Sequence, residues 1–191
     1  MDLVSIEQLV RDVADQVPNV PEPLVLKRLC SALRRFCLTS RAWQQDVLIT
    51  LDGREAYEIE NPENMRVHQV ENVKVDDVEL VDGSDYFSTR ATVEPERPER
   101  WDTGNLFARV SLIPVGDVTD VPVSLFDHYR DVLVNGACAQ LLAMPSTAWS
   151  NHNDALRHEN DFEDGCIKAK TDWLHGFSHS RSYEPTVDFY A

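Results

Sequence analysis

His175 and His179 stand four residues apart, the spacing of two metal ligands on one helix face. Gly176 and Ser178 fall where the preceding helix should stop, so a tail or surface position is the expected reading for both. His152 and His158 are six apart and would leave a helix on different faces, again at the surface. The acidic run VDDVELVDGSD offers Asp76, Asp77, Glu79, Asp82 and Asp85. It lacks the ligand spacing of a calcium loop. General acid–base chemistry needs two carboxylates held in different environments across a cleft, whereas acids on hairpins ordinarily face solvent. Cys30, Cys37, Cys138 and Cys166 contain no C-x-x-C pair. Each sits among apolar residues, so buried thiols are expected in place of a zinc site or a disulfide. The sequence has no glycine-rich dinucleotide fingerprint, phosphate loop, H-E-x-x-H or G-x-S-x-G. No catalytic residue, metal ligand or cofactor is therefore assigned, and the expectation is a protein that is not an enzyme.

Charge is the next source of chemistry. The chain carries 33 acidic and 18 basic residues, a formal net charge of -15. That excludes a broad basic face for reading duplex DNA. Between Glu22 and Asp46, however, every charged residue is basic: Lys27, Arg28, Arg34, Arg35 and Arg41. Such a face can be simply solvated, or it can meet acids on a neighbouring copy of the chain. It lacks the interleaved aromatics of a single-strand nucleic-acid groove. Arg34, Arg35 and Arg41 are the residues assigned to contacts between copies or with another partner.

These residues must be positioned by a chain of 191 residues, enough for one domain or two small ones. No apolar run reaches the roughly 18 residues of a membrane-spanning helix, and the first residues do not resemble a signal peptide. Residues 3 to 15 show helical periodicity through Ile6, Leu9, Val10 and Val13, with Ser5 as a cap. VPNVPEP breaks that helix. Residues 22 to 42 form a second, with Pro23 in its first turn and Leu26, Leu29, Cys30, Leu33, Phe36 and Cys37 in one stripe. Residues 45 to 115 alternate in the manner of an antiparallel module of about six strands, beginning with a hairpin turned at Asp52-Gly53. A capping box at Ser124 and Asp127 starts a third helix over 125 to 143. Gly136 inside it costs about 1 kcal/mol relative to alanine unless a close helix contact compensates. Ser150 caps a last helix that ends near Gly176. The predicted fold is α+β in the order α-α-β-α-α. Residues 1–44 and 116–177 build a four-helix bundle, residues 45–115 are an inserted antiparallel β-domain, and residues 178–191 are an extended C-terminal tail. The tail's spaced aromatics could fold back on the bundle, but the lack of periodicity and Pro185 favour docking on another protein, in one form by adding a strand.

Two stretches carry a resemblance to a known family. LKRLCSALRRFCLTSRAWQQDV and YRDVLVNGACAQLLAMPSTAWSN, the latter followed by a long polar helix, resemble the small head–tail adaptors of tailed bacteriophages, tail tubular protein A among them. The likeness runs over residues 22 to 45 and 124 to 175, with a vaguer match in the β-module. Ser40 stands where the family pattern has Thr. The resemblance implies a virion structural protein forming a ring of about twelve copies between portal and tail. DNA would pass through its centre without sequence-specific binding, kept from adhering by an acidic lumen. The partners implied are further copies of the chain, the portal and the adjacent neck or tail protein, with no membrane. The location implied is the neck of the virion, after assembly in the bacterial host cytoplasm. Ser178, Arg181, Tyr183, Pro185, Val187, Phe189 and Tyr190 would dock in grooves of the portal. The alternatives are a stopper or tail terminator, which are β-dominated, and an enzyme using surface carboxylates with a divalent metal.

Overall fold

The structure is a computed structural model and describes residues 2–175. It opens on a short strand, β1 (Leu3–Ser5), a 3-10 turn (Ile6–Leu9) and a helix, α1 (Val10–Gln16). A long helix, α2 (Glu22–Ser40), leads through Arg41 to Trp43 into β2 (Gln44–Thr50). Six more strands follow: β3 (Tyr57–Glu58), β4 (Met65–Val75), β5 (Val78–Glu79), β6 (Tyr86–Ser88), β7 (Thr92–Pro95) and β8 (Asn105–Pro114). The chain returns through β9 (Asp120–Pro122) to two long helices, α3 (Val123–Leu142) and α4 (His152–His175).

The fold is α+β, but it is not the four-helix bundle with a single β-module that the sequence pattern predicts. The strands divide into three antiparallel sheets: β1-β9, β2-β8-β4-β5 and β3-β7-β6. The first segment is helical only from Ile6 onward. Leu3, Val4 and Ser5 pair instead with Pro122, Val121 and Asp120, more than 100 residues away. That pairing satisfies backbone groups that a helix start would leave open.

The expected hairpin at Asp52-Gly53 is also corrected. β2 pairs with β8, from Gln44 opposite Ser111 to Thr50 opposite Asn105. The chain after Gly53 leaves for the three-stranded sheet, where Tyr57 lies opposite Val93. A side chain holds the turn. The Tyr57 hydroxyl accepts from the N–H of Asp52 (3.3 Å) and of Arg54 (3.1 Å), and donates to the Trp101 carbonyl at 3.1 Å. Both rings are buried, with centroids 5.9 Å apart.

Two helix starts differ from expectation. α3 begins at Val123 behind Pro122 with no side-chain cap, so Ser124 and Asp127 form no capping box. Asn151, not Ser150, caps α4: its Oδ1 accepts from the Asp154 N–H at 3.3 Å. The stripe of α2 is where periodicity puts it. Leu29, Leu33, Phe36 and Cys37 are fully buried. They share one core with Leu133, Ala137 and Leu141 of α3, Phe162 and Cys166 of α4, and Leu106, Ala108 and Val110 of β8. Gly136 lets three helices meet: a Cβ there would stand 2.5 Å from Phe162 Cδ2 and 3.0 Å from the Ala32 Cβ. This is the close contact that offsets a glycine inside a helix.

Candidate interaction surface

The arginines assigned to contacts between copies each hold a group of their own chain. Arg35 spans from α2 to α4 and grips the Glu159 carboxylate with both terminal nitrogens, one at 3.2 Å, the other bond shorter. Its guanidinium also lies over the Phe162 ring, 4.7 Å from the centroid. Such a fork fixes direction as well as distance. Arg34 Nε donates to the Pro114 carbonyl at the end of β8 (3.1 Å). Arg41 lies 3.5 Å from Glu71 of β4. The basic run thus fastens α2 to the sheet and to α4. Lys27 is exposed, and so is Arg34, whose terminal nitrogens have no partner among the described residues.

Arg41 closes α2 in the left-handed region, with φ 57° and its N–H on the Cys37 carbonyl. This is the place where glycine usually stands. The side chain of Ser40 supports the turn. Its Oγ donates to the Phe36 carbonyl at 2.7 Å and accepts from the Ala42 N–H at 3.2 Å.

The acids of the run 75–85 stay apart and serve turns. Asp76 accepts from the Asn105 N–H (3.1 Å), and Asp82 from the N–H and hydroxyl of Ser88 (3.2 and 2.8 Å). Asp85 accepts from the Val81 N–H at 2.9 Å, and Glu79 from the Asn72 amide. Among the described residues no three His, Cys, Asp or Glu side chains converge to hold a metal ion. The four cysteines are free and buried. Burial pushes the Cys138 and Cys166 thiols up to about 12, far from the thiolate a nucleophile requires.

His152 is exposed, as expected, but His158 is not. It is buried between α3 and α4, with Nδ1 2.9 Å from the Asn135 Oδ1. A carbonyl oxygen can only accept, so Nδ1 carries the proton. The rule that histidines six apart take different helix faces holds; it could not say which face would be covered. His179 and the tail residues Ser178, Arg181, Tyr183, Pro185, Val187, Phe189 and Tyr190 lie outside the described residues.

The surface that sequence reasoning missed is on the four-stranded sheet. Val47 and Ile49 of β2 turn inward and are half-buried, while Leu48 between them is 59% exposed. Opposite Leu48 on β8 stands Phe107, 40% exposed. Asp46 and Arg109 form the neighbouring cross-strand pair, bonded at 2.7 and 3.0 Å. That pair holds the Asp46 carboxylate below its ordinary range. The unbroken apolar run Val47-Leu48-Ile49 was the available signal: in a strand, one of three such residues must face away from the other two. A separate groove of about 660 Å³ opens beside Trp43, with Leu3, Met65 and Val115 among its apolar walls and Glu63, Asp117 and Asp120 at its polar ones.

No family model matches the chain, and no curated protein matches it as a relative.

Proposed function

We propose that this chain is a head–tail adaptor, a structural protein of a tailed bacteriophage whose copies form a ring between the portal and the tail or neck. Its work is geometric: it joins two rings and leaves a channel for DNA. The observation that carries the reading is how the resembling segments meet. Residues 22–45 and 124–175 are separated by some 80 residues of sequence, yet α2, α3 and α4 pack as one unit around Ala32, Gly136 and Phe162. The chain between them leaves and returns side by side, with Leu112 donating to the Trp43 carbonyl at 2.8 Å. Neither the motifs nor the residue types in the acidic run favour catalysis. The acidic excess supports a lumen that repels phosphates instead of binding them.

In this reading Arg34 is the arginine left to reach a neighbouring copy, since Arg35 and Arg41 are engaged across the fold. Residues 178–191 reach the portal. Electron microscopy of native particles, with no symmetry imposed, tests the proposal. A ring of about twelve copies against a portal is the expected result. A monomer or dimer found apart from any particle overturns it. Deleting residues 178–191 should abolish binding to isolated portal rings; unchanged affinity would remove the tail from the interface.

A further inference from the structure

β2 is an open edge. It borders the four-stranded sheet, with β8 on one side and, among the described residues, no strand on the other. The Leu51 N–H on Gly104 and the Leu112 N–H on Trp43 fix which residues bond to β8. Odd-numbered residues, Val47 and Ile49 among them, therefore point their backbone groups inward to β8. Asp46, Leu48 and Thr50 point theirs outward. Among the described residues nothing accepts from their N–H groups or donates to their carbonyls.

This edge has few of the devices that usually protect one: its single charge, Asp46, is paired with Arg109. Gln44–Thr50 contains no proline and no lysine, its register with β8 is unbroken by a bulge, and among the described residues neither helix nor loop bonds to its outer side. Its solvent side carries the exposed Leu48–Phe107 pair. An added strand would satisfy the outward backbone groups and extend that apolar row in one step.

The occupant is indicated by where the described chain stops. Lys170, Trp173 and Leu174 at the end of α4 line a pocket of about 230 Å³ together with Gln44, the first residue of β2, and Arg109. Glu71 and Asn72 of β4 line the same pocket, so α4 ends over the face of the sheet, beside the first residue of β2. Residues 176–185 can span about 33 Å when extended, and β2 is about 23 Å long, so either end of the edge is within reach. Beyond them comes Thr186-Val187-Asp188-Phe189-Tyr190. Val187 and Phe189 share one face of any strand they enter, the spacing required to continue the row of Leu48 and Phe107.

We infer that in the free chain Thr186–Tyr190 adds to the edge of β2 as a fifth strand of this sheet. The inference concerns the chain alone and holds whatever protein the tail later meets. If that protein is a portal, its binding uncovers β2 and makes the edge available to a neighbour only within the assembly.

Amide hydrogen exchange on the purified monomer tests this without any partner. In the full chain the amides of Asp46, Leu48 and Thr50 should be protected. Deletion of residues 176–191 should speed their exchange at least tenfold, while Val47 and Ile49, bonded to β8, stay unchanged and report that the sheet is intact. Phe189→Asp in the full chain should give the same selective loss. A synthetic peptide of residues 176–191 should restore protection to the truncated chain. Equal exchange at Asp46, Leu48 and Thr50 with and without the tail overturns the inference. So does protection that survives truncation and grows with protein concentration, since a second copy would then hold the edge.

Discussion

Gly136 of α3 lies against the Phe162 ring of α4 so closely that a Cβ would stand 2.5 Å from Cδ2. Gly136→Ala therefore sets two effects against each other. Helix propensity favours alanine by about 1 kcal/mol. Overpacking a filled core costs about 1–3 kcal/mol, and here the added methyl would also stand 3.0 Å from the Ala32 Cβ. The net expectation is a loss of up to about 2 kcal/mol in urea unfolding. A variant as stable as the parent, or more so, would mean that the ring moves aside at no cost.

Arg35 is tied to Glu159 and stacked on Phe162, with the two charged side chains 39% and 31% exposed. Exposed ion pairs contribute about 0–1 kcal/mol, and a partly exposed cation–π contact adds about 0.5–1. Arg35→Ala should thus cost about 0.5–2 kcal/mol. Arg35→Lys should recover little, because an ammonium cannot grip both carboxylate oxygens from one plane. A double-mutant cycle with Glu159→Gln measures the pair directly. Zero coupling would show that Arg35 acts only through the ring.

His158 gives the pH dependence a direction. Burial lowers its pKa below the ordinary 6.5, Arg157 adds to the effect, and Asp161 and Asp154 oppose it. Below pH 6.5 the unfolded chain therefore takes up a proton that the folded chain resists. Stability is complete above pH 6.5 and falls as the pH drops toward the folded value, by at most about 1.4 kcal/mol for each unit by which the pKa is lowered. His68 is lowered too, by burial and then by Arg41, and contributes in the same sense. His158→Gln keeps a donor for the Asn135 Oδ1 without a titrating group. Its urea midpoint should decline less between pH 7 and pH 5 than that of the parent. Identical declines would place the dependence elsewhere.

How far the fold can be read from the sequence differs by element. α2 is legible because its evidence is local: a stripe at helical spacing, Pro23 in the first turn, and the bases confined to the opposite face. Gly136 is legible as a costly residue in need of a contact. The burial of the four cysteines follows from their apolar neighbours. The division into three sheets is not legible. Alternation says that a segment is extended and does not say which strand it meets. The turn at Gly53 looks like a hairpin for the same reason; what redirects the chain is Trp101, 44 residues beyond Tyr57 in sequence.

The candidate site divides in the same way. The sequence by itself determined which residues bear charge, that those between Glu22 and Asp46 are all basic, and that Val47-Leu48-Ile49 cannot all be buried on one face of a strand. Only the tertiary structure decided that Arg35 meets Glu159, that Arg41 meets Glu71, that His158 is covered, and that β2 has one strand partner among the described residues where a central strand has two. The physical reason is range. Helical stripes, caps and turns are set by neighbours within a few residues. The pairing of Leu48 with Phe107 requires closure of a long loop, and its register is chosen by the whole buried face of the sheet.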